Sequence, residues 1–207
     1  GLSVREVLST LKEAGLGSMP GGGAEVFNDD IRRELCPRKA MSDDWLQVHQ
    51  TAHELGIKTN CTMLYGHVES IEDRIHHLMR LRELQDTAPG FQSFIPLPFL
   101  PDNTRLSHLG RTSALDDLKT MAISRLMLDN IDHIKAFWIM LGIPLAQIAL
   151  EFGADDLDGT VIEERIMHSA GASTEKGIDK QAIIELIRES GYTPVERDTL
   201  YNVIEIF

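Results

Sequence analysis

The segment Ile57-Lys-Thr-Asn-Cys-Thr-Met-Leu-Tyr-Gly-His-Val-Glu-Ser70 joins a short apolar run to the beginning of an amphipathic helix. Residues 57–65 have the composition of a buried strand, and Ser70 caps a run with apolar residues at helical spacing. The polar loop between them is therefore expected at the carboxyl end of a strand. A strand, a loop and a helix in this order form the repeating unit of a parallel β/α fold.

The same unit recurs along the chain. The predicted strands are 16–19, 57–65, 91–99 and 133–140, and the predicted helices are 3–15, 42–56, 113–129, 144–152, 180–190 and one that starts at 70. A repeat of about 40 residues is typical of parallel βαβ units, so the class is α/β. Four units make half of an eight-stranded barrel with two open edges, and a flavodoxin-like doubly wound sheet has a similar count.

The regular alternation ends after Gly153. The acidic stretch 154–159 is predicted to be a polar turn, because its aspartates lack the spacing and the terminal Glu of a calcium loop. A helix and an apolar extended segment, 192–207, follow it. We therefore divide the chain into a β/α region at 1–153 and a mostly helical extension at 154–207 that packs on it.

Composition excludes several classes of function. The net charge of −12 and the absence of a basic run argue against nucleic acid and anionic membrane surfaces as partners. No apolar stretch approaches the roughly 20 residues that span a bilayer. The 2 cysteines make no disulfide framework and no signal peptide precedes them, so we expect a protein of the cytoplasm. The first residue is Gly1, which suggests a longer parent protein.

The glycine run Gly21–Gly23 follows the first predicted strand. Either it is only a tight turn, or its backbone N–H groups approach a ligand that a Cβ would hold off. Pro20 before it and Glu25 after it favour the second interpretation, since a carboxylate there can accept bonds from a ribose or an amino group. The run matches neither the dinucleotide fingerprint nor the P-loop.

Further polar residues cluster after the second strand. His67 and Glu69 are suited to an acid/base pair, to metal ligation or to hydrogen bonding of a substrate carboxylate, whereas Glu69 alone is also suited to capping the next helix. His49 and His53 have the i, i+4 spacing of a zinc pair, but Gln50 replaces the glutamate of a zincin. We expect that histidine pair to be solvated on the outside of the fold.

Several segments together resemble the radical S-adenosylmethionine enzymes of the futalosine route to menaquinone and, more loosely, the deazaflavin (FO) synthases. They are Ser18-Met-Pro-Gly-Gly-Gly-Ala-Glu-Val-Phe27, Thr51-Ala-His-Glu-Leu-Gly56, Thr62-Met-Leu-Tyr-Gly-His-Val-Glu69 and Leu81-Arg-Glu-Leu-Gln-Asp86. Three later segments are most similar to the aminofutalosine synthases of this family: Leu126-Met-Leu-Asp-Asn130, His133-Ile-Lys-Ala-Phe-Trp138 and Gly153-Ala-Asp-Asp-Leu-Asp-Gly-Thr160.

The resemblance implies the second half of a radical-SAM (β/α) TIM-type barrel, with S-adenosylmethionine and a [4Fe-4S] cluster as cofactors. The reaction it implies adds the 5′-deoxyadenosyl radical to 3-[(1-carboxyvinyl)oxy]benzoate with loss of the carboxyl carbon, using an electron donor such as flavodoxin or ferredoxin. It places Gly21, Gly22, Gly23 and Glu25 beside S-adenosylmethionine. It also implies that four residues contact the substrate: Tyr65, His67, Glu69 and Arg111.

The chain departs from this family in one respect. The family holds its cluster with a Cys-x3-Cys-x2-Cys loop, and Cys36 and Cys61 cannot supply that spacing. We expect no metal ligand in this chain, cluster cysteines upstream, and no activity from the 207 residues alone. The alternatives are the sister enzyme cyclic dehypoxanthinyl futalosine synthase, an FO synthase-like enzyme, a non-catalytic ligand-binding fragment, and a zinc-dependent barrel hydrolase that uses His67.

Overall fold

A computed structural model describes residues 1–159 and 177–207 of the chain. The elements, in chain order, are α1 (Val4–Glu13), β1 (Ser18–Met19), α2 (Asp29–Leu35), α3 (Ser42–Glu54), β2 (Lys58–Tyr65), α4 (Ile71–Thr87), β3 (Phe91–Pro98), α5 (Ala114–Met127), β4 (His133–Ala136), α6 (Trp138–Leu141), α7 (Ile143–Ala149), a 3-10 turn (Leu150–Phe152), β5 (Asp156–Leu157), α8 (Lys180–Glu189), β6 (Val195–Arg197) and β7 (Val203–Ile206).

Strands β1 to β5 form one sheet in sequence order, and every neighbouring pair is parallel. The predicted α/β half-barrel is therefore confirmed, with strands and helices alternating from β1 to β5. Strands β6 and β7 form a separate antiparallel hairpin after α8, so the predicted extended segment at 192–207 is confirmed as well.

The acidic stretch after Gly153 differs from its prediction. It is not only a polar turn, because Asp156–Leu157 form β5 and pair with Lys135 and Ala136 of β4. Buried neighbours and ion pairs hold these polar residues in a strand although their intrinsic strand propensity is low. The sheet thus continues past residue 153, with 5 strands where the sequence indicated 4. The division of the chain at 153 remains a prediction.

Two other boundaries differ from their predictions. Strand β4 ends at Ala136, four residues before the predicted end, because helix α6 begins at Trp138. Helix α2 was not predicted at all. Asn28 caps it by accepting from the amides of Asp30 and Ile31, which begins a helix in a stretch too polar to show an apolar stripe.

The two faces of the sheet have different roles because side chains alternate along each strand. In β2, Cys61, Met63 and Tyr65 face the helices and belong to the main apolar core. The alternate residues Thr62 and Leu64 therefore lie on the opposite, concave face, which corresponds to the barrel interior.

The hairpin β6–β7 closes the amino-terminal end of the concave face. The Tyr201 ring stacks on His133 with centroids 4.0 Å apart, and its hydroxyl donates to Asp156 Oδ2 at 2.6 Å. Arg197 donates to the same oxygen at 2.7 Å. Burial beside Asp156 raises the pKa of Tyr201, so the hydroxyl stays protonated and can donate to this carboxylate at neutral pH. No helix among the described residues is both long and apolar enough to cross a membrane.

Candidate functional site

The carboxyl ends of the five parallel strands meet along one rim of the half-barrel, which we call the mouth. The loops that follow β1, β2 and β3 lie there, and they carry the glycine run, His67 and Arg111 respectively. The sequence therefore identified the correct rim. Which side chains point into the mouth depends on packing behind it.

The glycine loop, Gly21 to Glu25, packs directly against β2. A Cβ on Gly21 would lie 2.5 Å from the Asn60 carbonyl oxygen and 2.6 Å from the Cys61 Cα, so only glycine fits this position. Gly23 has φ of +81°, the left-handed region that glycine adopts without strain. A Cβ on Gly22, in contrast, would meet no atom within 4 Å. The glycine loop thus packs closely against β2 at Gly21, whereas the space beside Gly22, on the mouth side, holds no protein atom.

Three side chains bind the carbonyls of the glycine run from behind. Thr62 Oγ1 donates to Gly21 O at 2.7 Å, and Trp45 Nε1 donates to Gly22 O at 3.1 Å. Arg32 Nη2 donates to Gly23 O at 3.0 Å. Each carbonyl of the run is therefore fixed by a different element, β2, α3 or α2.

Arg32 has the most contacts of these three side chains. It is 0% exposed, and besides Gly23 its guanidinium donates to the carbonyls of Ala24, Val26 and Ala40. A buried arginine fits such a site because its planar group offers five N–H donors in a fixed arrangement. The sequence analysis missed this residue, since a charged residue in a short helix ordinarily indicates a solvated face.

Glu25 lies just after the glycine run, whose carbonyls are all hydrogen-bonded. Its φ of +46° is uncommon for a residue with a Cβ and costs about 1–3 kcal/mol, a strain that often occurs at functional sites. Its carboxylate pairs with Lys39, and its carbonyl accepts from Leu64 N at 2.9 Å. Glu25 is therefore at the mouth, as predicted, with one ion-pair partner from the protein.

Tyr65 lies away from the mouth. It is 1% exposed on the helix side of the sheet, where its hydroxyl donates to Asp117 Oδ1 at 2.8 Å. Burial of the ring, together with the Asp117 charge, raises the pKa of Tyr65. The structure thus separates Tyr65 from the surface that the resemblance assigned to it. Strand alternation from Thr62 would have shown this in the sequence.

His67 and Glu69 are brought together in the turn after β2, but both are occupied by the protein. Glu69 accepts from Gly66 N at 2.5 Å and from His67 N at 2.8 Å, and its side chain is 0% exposed. Arg74 Nε donates to it at 2.8 Å. The His67 imidazole accepts from Val68 N at 2.8 Å. Glu69 therefore shapes this turn from within, and its carboxylate has no exposed surface for a ligand.

Arg74 continues this network away from the mouth. Its Nη1 donates to Asp116 at 3.1 Å and to Thr120 Oγ1 at 3.0 Å, both on α5. Its guanidinium carbon lies 4.9 Å from the centre of the Tyr65 ring. The turn after β2 is thus fastened to two outer helices through one arginine, which the sequence analysis did not single out.

Arg111 lies in the loop after β3, next to Thr112, whose side chain packs against Gly66 of the turn after β2. Its guanidinium forms an ion pair with Asp102 at 2.7 Å, and its side chain is about half exposed. The structure therefore places it at the mouth, on the loop between β3 and α5.

The concave face carries a cation that was not predicted. Lys135 and His133 of β4 point to the same face of the sheet, because side chains alternate along a strand. His133 pairs with Ser93 of β3. Its ammonium donates to Asp158 Oδ1 at 2.6 Å, just beyond the carboxyl end of β5, and lies 3.7 Å from Asp156 Oδ2 of that strand. The alternate residues of β3, Ile95 and Leu97, form an apolar surface on the same face. Two carboxylates of the protein therefore already pair with this ammonium.

The histidine pair on α3 is not solvated, in contrast to the prediction. His49 and His53 are 3% and 8% exposed, and both contact Thr59 Oγ1 at 2.9 Å. Burial lowers the pKa of both imidazoles, that of His49 to about 3. This helix packs its polar residues against β2, which an i, i+4 spacing alone does not reveal.

The chain does not fit an iron–sulfur cluster. Cys61 is fully buried in the core, where burial raises the pKa of its thiol, and Cys36 is the half-buried residue that ends α2. Within residues 1–159 and 177–207, no group of three or more metal-ligating side chains is assembled. The glycine loop does fit one face of a nucleoside, because it is open toward the mouth and rigid behind.

Comparison with known families defines the class of protein. Residues 1–81 match the radical SAM superfamily, and residues 88–207 match the CofH/MqnC C-terminal region. The second match covers more than half of the chain. The chain therefore belongs to the family with the CofH/MqnC C-terminal region, and its first 81 residues are similar to the radical SAM superfamily.

Individual relatives narrow the class. The chain is 51% identical to the aminodeoxyfutalosine synthase of Thermus thermophilus, in an alignment that covers all of this chain and 56% of that protein. It is 42% identical to the Streptomyces coelicolor protein of the same name, in an alignment that covers 99% of this chain and 56% of that protein. An archaeal relative has another name: 5-amino-6-(D-ribitylamino)uracil–L-tyrosine 4-hydroxyphenyl transferase of Methanothermobacter thermautotrophicus, 47% identical over 99% of this chain and 57% of that protein.

A solved structure has the same fold. Methylornithine synthase (PylB) superposes with a TM-score of 0.70 over 93% of this chain and 56% of that one, at 20% sequence identity. At that identity the likeness concerns the fold alone. In each comparison the chain spans a little over half of its relative's length.

Proposed function

We propose that the protein containing these residues is an aminodeoxyfutalosine synthase, which joins the 5′-deoxyadenosyl group of S-adenosylmethionine to 3-[(1-carboxyvinyl)oxy]benzoate with loss of the carboxyl carbon. The observation that carries the proposal is the pinned glycine loop at the mouth of a radical SAM half-barrel. The choice among related reactions is supported by the 51% identity to the Thermus thermophilus enzyme.

In this proposal Gly21, Gly22, Gly23 and Glu25 hold the adenosine part of S-adenosylmethionine. Glu25 is suited to accept from ribose hydroxyls, because its carboxylate lies at the mouth and keeps only one ion-pair partner, Lys39. When bound, S-adenosylmethionine would supply the 5′-deoxyadenosyl group and leave methionine, and a [4Fe-4S] cluster held elsewhere in the protein would pass on the electron that flavodoxin or ferredoxin donates to it in the cytoplasm.

The substrate would lie across the concave face, between the glycine loop and β4. Neighbouring strands are about 4.8 Å apart, so roughly 10 Å separates a residue of β2 from its counterpart on β4. A benzoate ring fits that span against Ile95 and Leu97. Lys135 would attract one of the two substrate carboxylates. His67 and Arg111 lie in the loops after β2 and β3, which border the mouth. These residues orient the substrate and exclude water, which joining two carbon centres requires more than a general base.

The second candidate function is transfer of a 4-hydroxyphenyl group to a ribitylaminouracil, the activity named for the Methanothermobacter thermautotrophicus relative. The observation in its favour is identity: 47% to that relative exceeds the 42% to the Streptomyces coelicolor synthase. The 51% identity to the Thermus thermophilus synthase favours the first function. The sister futalosine cyclase remains a third candidate.

Product analysis of the full-length enzyme tests the proposal. The enzyme, purified without oxygen and reconstituted with iron and sulfide, is given dithionite and S-adenosylmethionine. One reaction contains 3-[(1-carboxyvinyl)oxy]benzoate, a second contains tyrosine with the ribitylaminouracil, and a third contains dehypoxanthinyl futalosine. We expect aminodeoxyfutalosine from the first mixture alone. A product from only the second or third mixture would overturn the assignment in favour of that reaction.

A further inference from the structure

The glycine run has all its carbonyls bonded and two of its amides open. The carbonyls of Gly21, Gly22 and Gly23 accept from Thr62, Trp45 and Arg32. Among the residues that the structure describes, the N–H groups of Gly22 and Gly23 have no hydrogen-bond partner. Gly22 is exposed and Gly23 is half-buried, so a ligand can reach both donors and replace the water around them.

Peptide planarity fixes where these two donors point. In a trans peptide the N–H of one residue is antiparallel to the C=O of the residue before it. Thr62 holds the Gly21 carbonyl toward β2, so the Gly22 N–H points away from β2. Trp45 holds the Gly22 carbonyl toward α3, so the Gly23 N–H points away from that helix and into the open side, where a Gly22 Cβ would meet nothing.

We propose that Arg32 is a positioning residue for cofactor binding: with Trp45 and Thr62, it locks the glycine run so that the Gly22 and Gly23 amides donate to acceptor atoms of the adenine or ribose of S-adenosylmethionine. The inference deepens the proposed function and rests on its placement of the cofactor at this loop. Arg32 touches no ligand. It acts by keeping the loop in its binding conformation before the ligand arrives.

Preorganisation is the physical reason for such a device. A free glycine run loses more backbone entropy on ordering than any other sequence, and a ligand that had to order it would bind more weakly. Arg32 is buried completely, and its guanidinium holds the carbonyl of Gly23 together with those of Ala24, Val26 and Ala40, which follow the run. The loop is thus ordered during folding, and the cofactor gains the full value of both donors.

Binding of S-adenosylmethionine by variants of the full-length enzyme tests the inference. The variants are R32K, which keeps the charge but loses the planar donors, and W45F and T62V, which each remove one carbonyl bond. The matched control is R33K, at the next residue of α2, whose exposed side chain pairs with Asp30. The measurements are the dissociation constant for S-adenosylmethionine by titration, that for the benzoate substrate, and hydrogen exchange of the peptide that spans the loop.

We expect W45F and T62V each to weaken S-adenosylmethionine binding about 3- to 10-fold, the value of one hydrogen bond, and R32K by more than tenfold. R33K should bind normally, and substrate binding should be unchanged throughout. Addition of S-adenosylmethionine should protect the Gly22 and Gly23 amides from exchange. If R32K does not fold, W45F and T62V decide the question on their own.

Normal cofactor affinity in W45F and T62V, or no added protection of the two amides, overturns the inference. Loss of substrate affinity in parallel with cofactor affinity also overturns it, because that pattern indicates general damage to the mouth. Failure of the proposed function has a different signature: the cofactor binds to the loop with the expected dependence on Arg32, but the benzoate substrate gives no product.

Discussion

The imidazole of His77 stacks on the ring of Phe27 at 4.0 Å and accepts a hydrogen bond from the Phe27 amide at 3.2 Å. Its other nitrogen contacts the Thr62 carbonyl at 3.0 Å. One side chain of α4 thus joins the end of the glycine loop to the middle of β2. Burial lowers the pKa of His77 to about 3, so the imidazole is neutral when it makes these contacts.

The buried imidazoles make the fold sensitive to acid. In the unfolded chain His77 titrates near 6.5, and in the folded protein near 3. Because the unfolded state binds the proton first, this contribution to stability is complete above pH 6.5 and is lost as the pH falls toward 3. We expect the free energy of unfolding to decrease by at most about 1.4 kcal/mol per pH unit for each such histidine. Urea unfolding at a series of pH values measures it.

The variant His77→Gln should be less stable than the wild type at pH 7.5 and should show a shallower decrease below pH 6.5. His108→Gln, on an exposed part of the loop after β3, is the control and should match the wild type. Equal pH slopes for wild type and H77Q would contradict a neutral buried His77.

Gly21→Ala and Gly22→Ala separate the two sides of the glycine loop. The new Cβ at position 21 would lie 2.5 Å from the Asn60 carbonyl, so the backbone must shift, at a cost of about 1–3 kcal/mol. At position 22 it meets nothing within 4 Å, and we expect a change within about 0.5 kcal/mol. Thermal unfolding distinguishes them, and equal losses in the two variants would disprove the close packing of Gly21 on β2.

Glu69→Gln should destabilise the protein by about 3 kcal/mol. The carboxylate is completely buried and accepts from two backbone amides and from Arg74, so its replacement removes the negative charge from these buried donors and leaves Arg74 with Asp116 as its charged partner. Glu72→Gln, which changes an exposed acid in the first turn of α4, should have little effect. Denaturant midpoints provide the measurement, and a near-neutral E69Q with weaker substrate binding would instead indicate a ligand contact for Glu69.

Tyr65→Phe should affect stability and not substrate binding. The lost hydroxyl bond to Asp117 is buried, and its removal should cost about 1–2 kcal/mol, since the Asp117 carboxyl then keeps one partner fewer. Burial already raises the pKa of Asp117. The KM for the benzoate substrate should stay at the wild-type value in steady-state assays of the full-length enzyme. A tenfold rise in KM at unchanged stability would place Tyr65 in the substrate pocket.

The sequence predicted the strand order and the rim at which the glycine run and His67 lie, because both depend on periodicity and on the loops that interrupt it. The part of these residues in binding a ligand stays a prediction. The sequence did not predict how the neighbouring side chains are held. Glu69 reads as a surface acid next to a histidine, but two backbone amides and Arg74 surround it. All three partners lie within five positions of Glu69 in the sequence, but their spacing does not show that their N–H groups turn toward the carboxylate.

The same limit explains the two residues that the sequence analysis missed. Arg32 and Lys135 are charged residues that are 0% and 8% exposed, each held by partners that only the fold brings near. Composition predicts charged residues at the surface, and it fails where carbonyls or carboxylates replace water around the cation.

The fifth strand has only two residues, Asp156 and Leu157, and the first of them is held by Arg197 and Tyr201, which follow it by 41 and 45 positions. During synthesis, therefore, β5 cannot be fastened until those later residues have left the ribosome. The rim beside Lys135 is then completed last, after the glycine loop already has all of its partners. The order in which residues leave the ribosome would thus set the order of assembly. The glycine loop, which we propose binds the cofactor, would be complete before the rim beside Lys135, where we propose that the substrate lies.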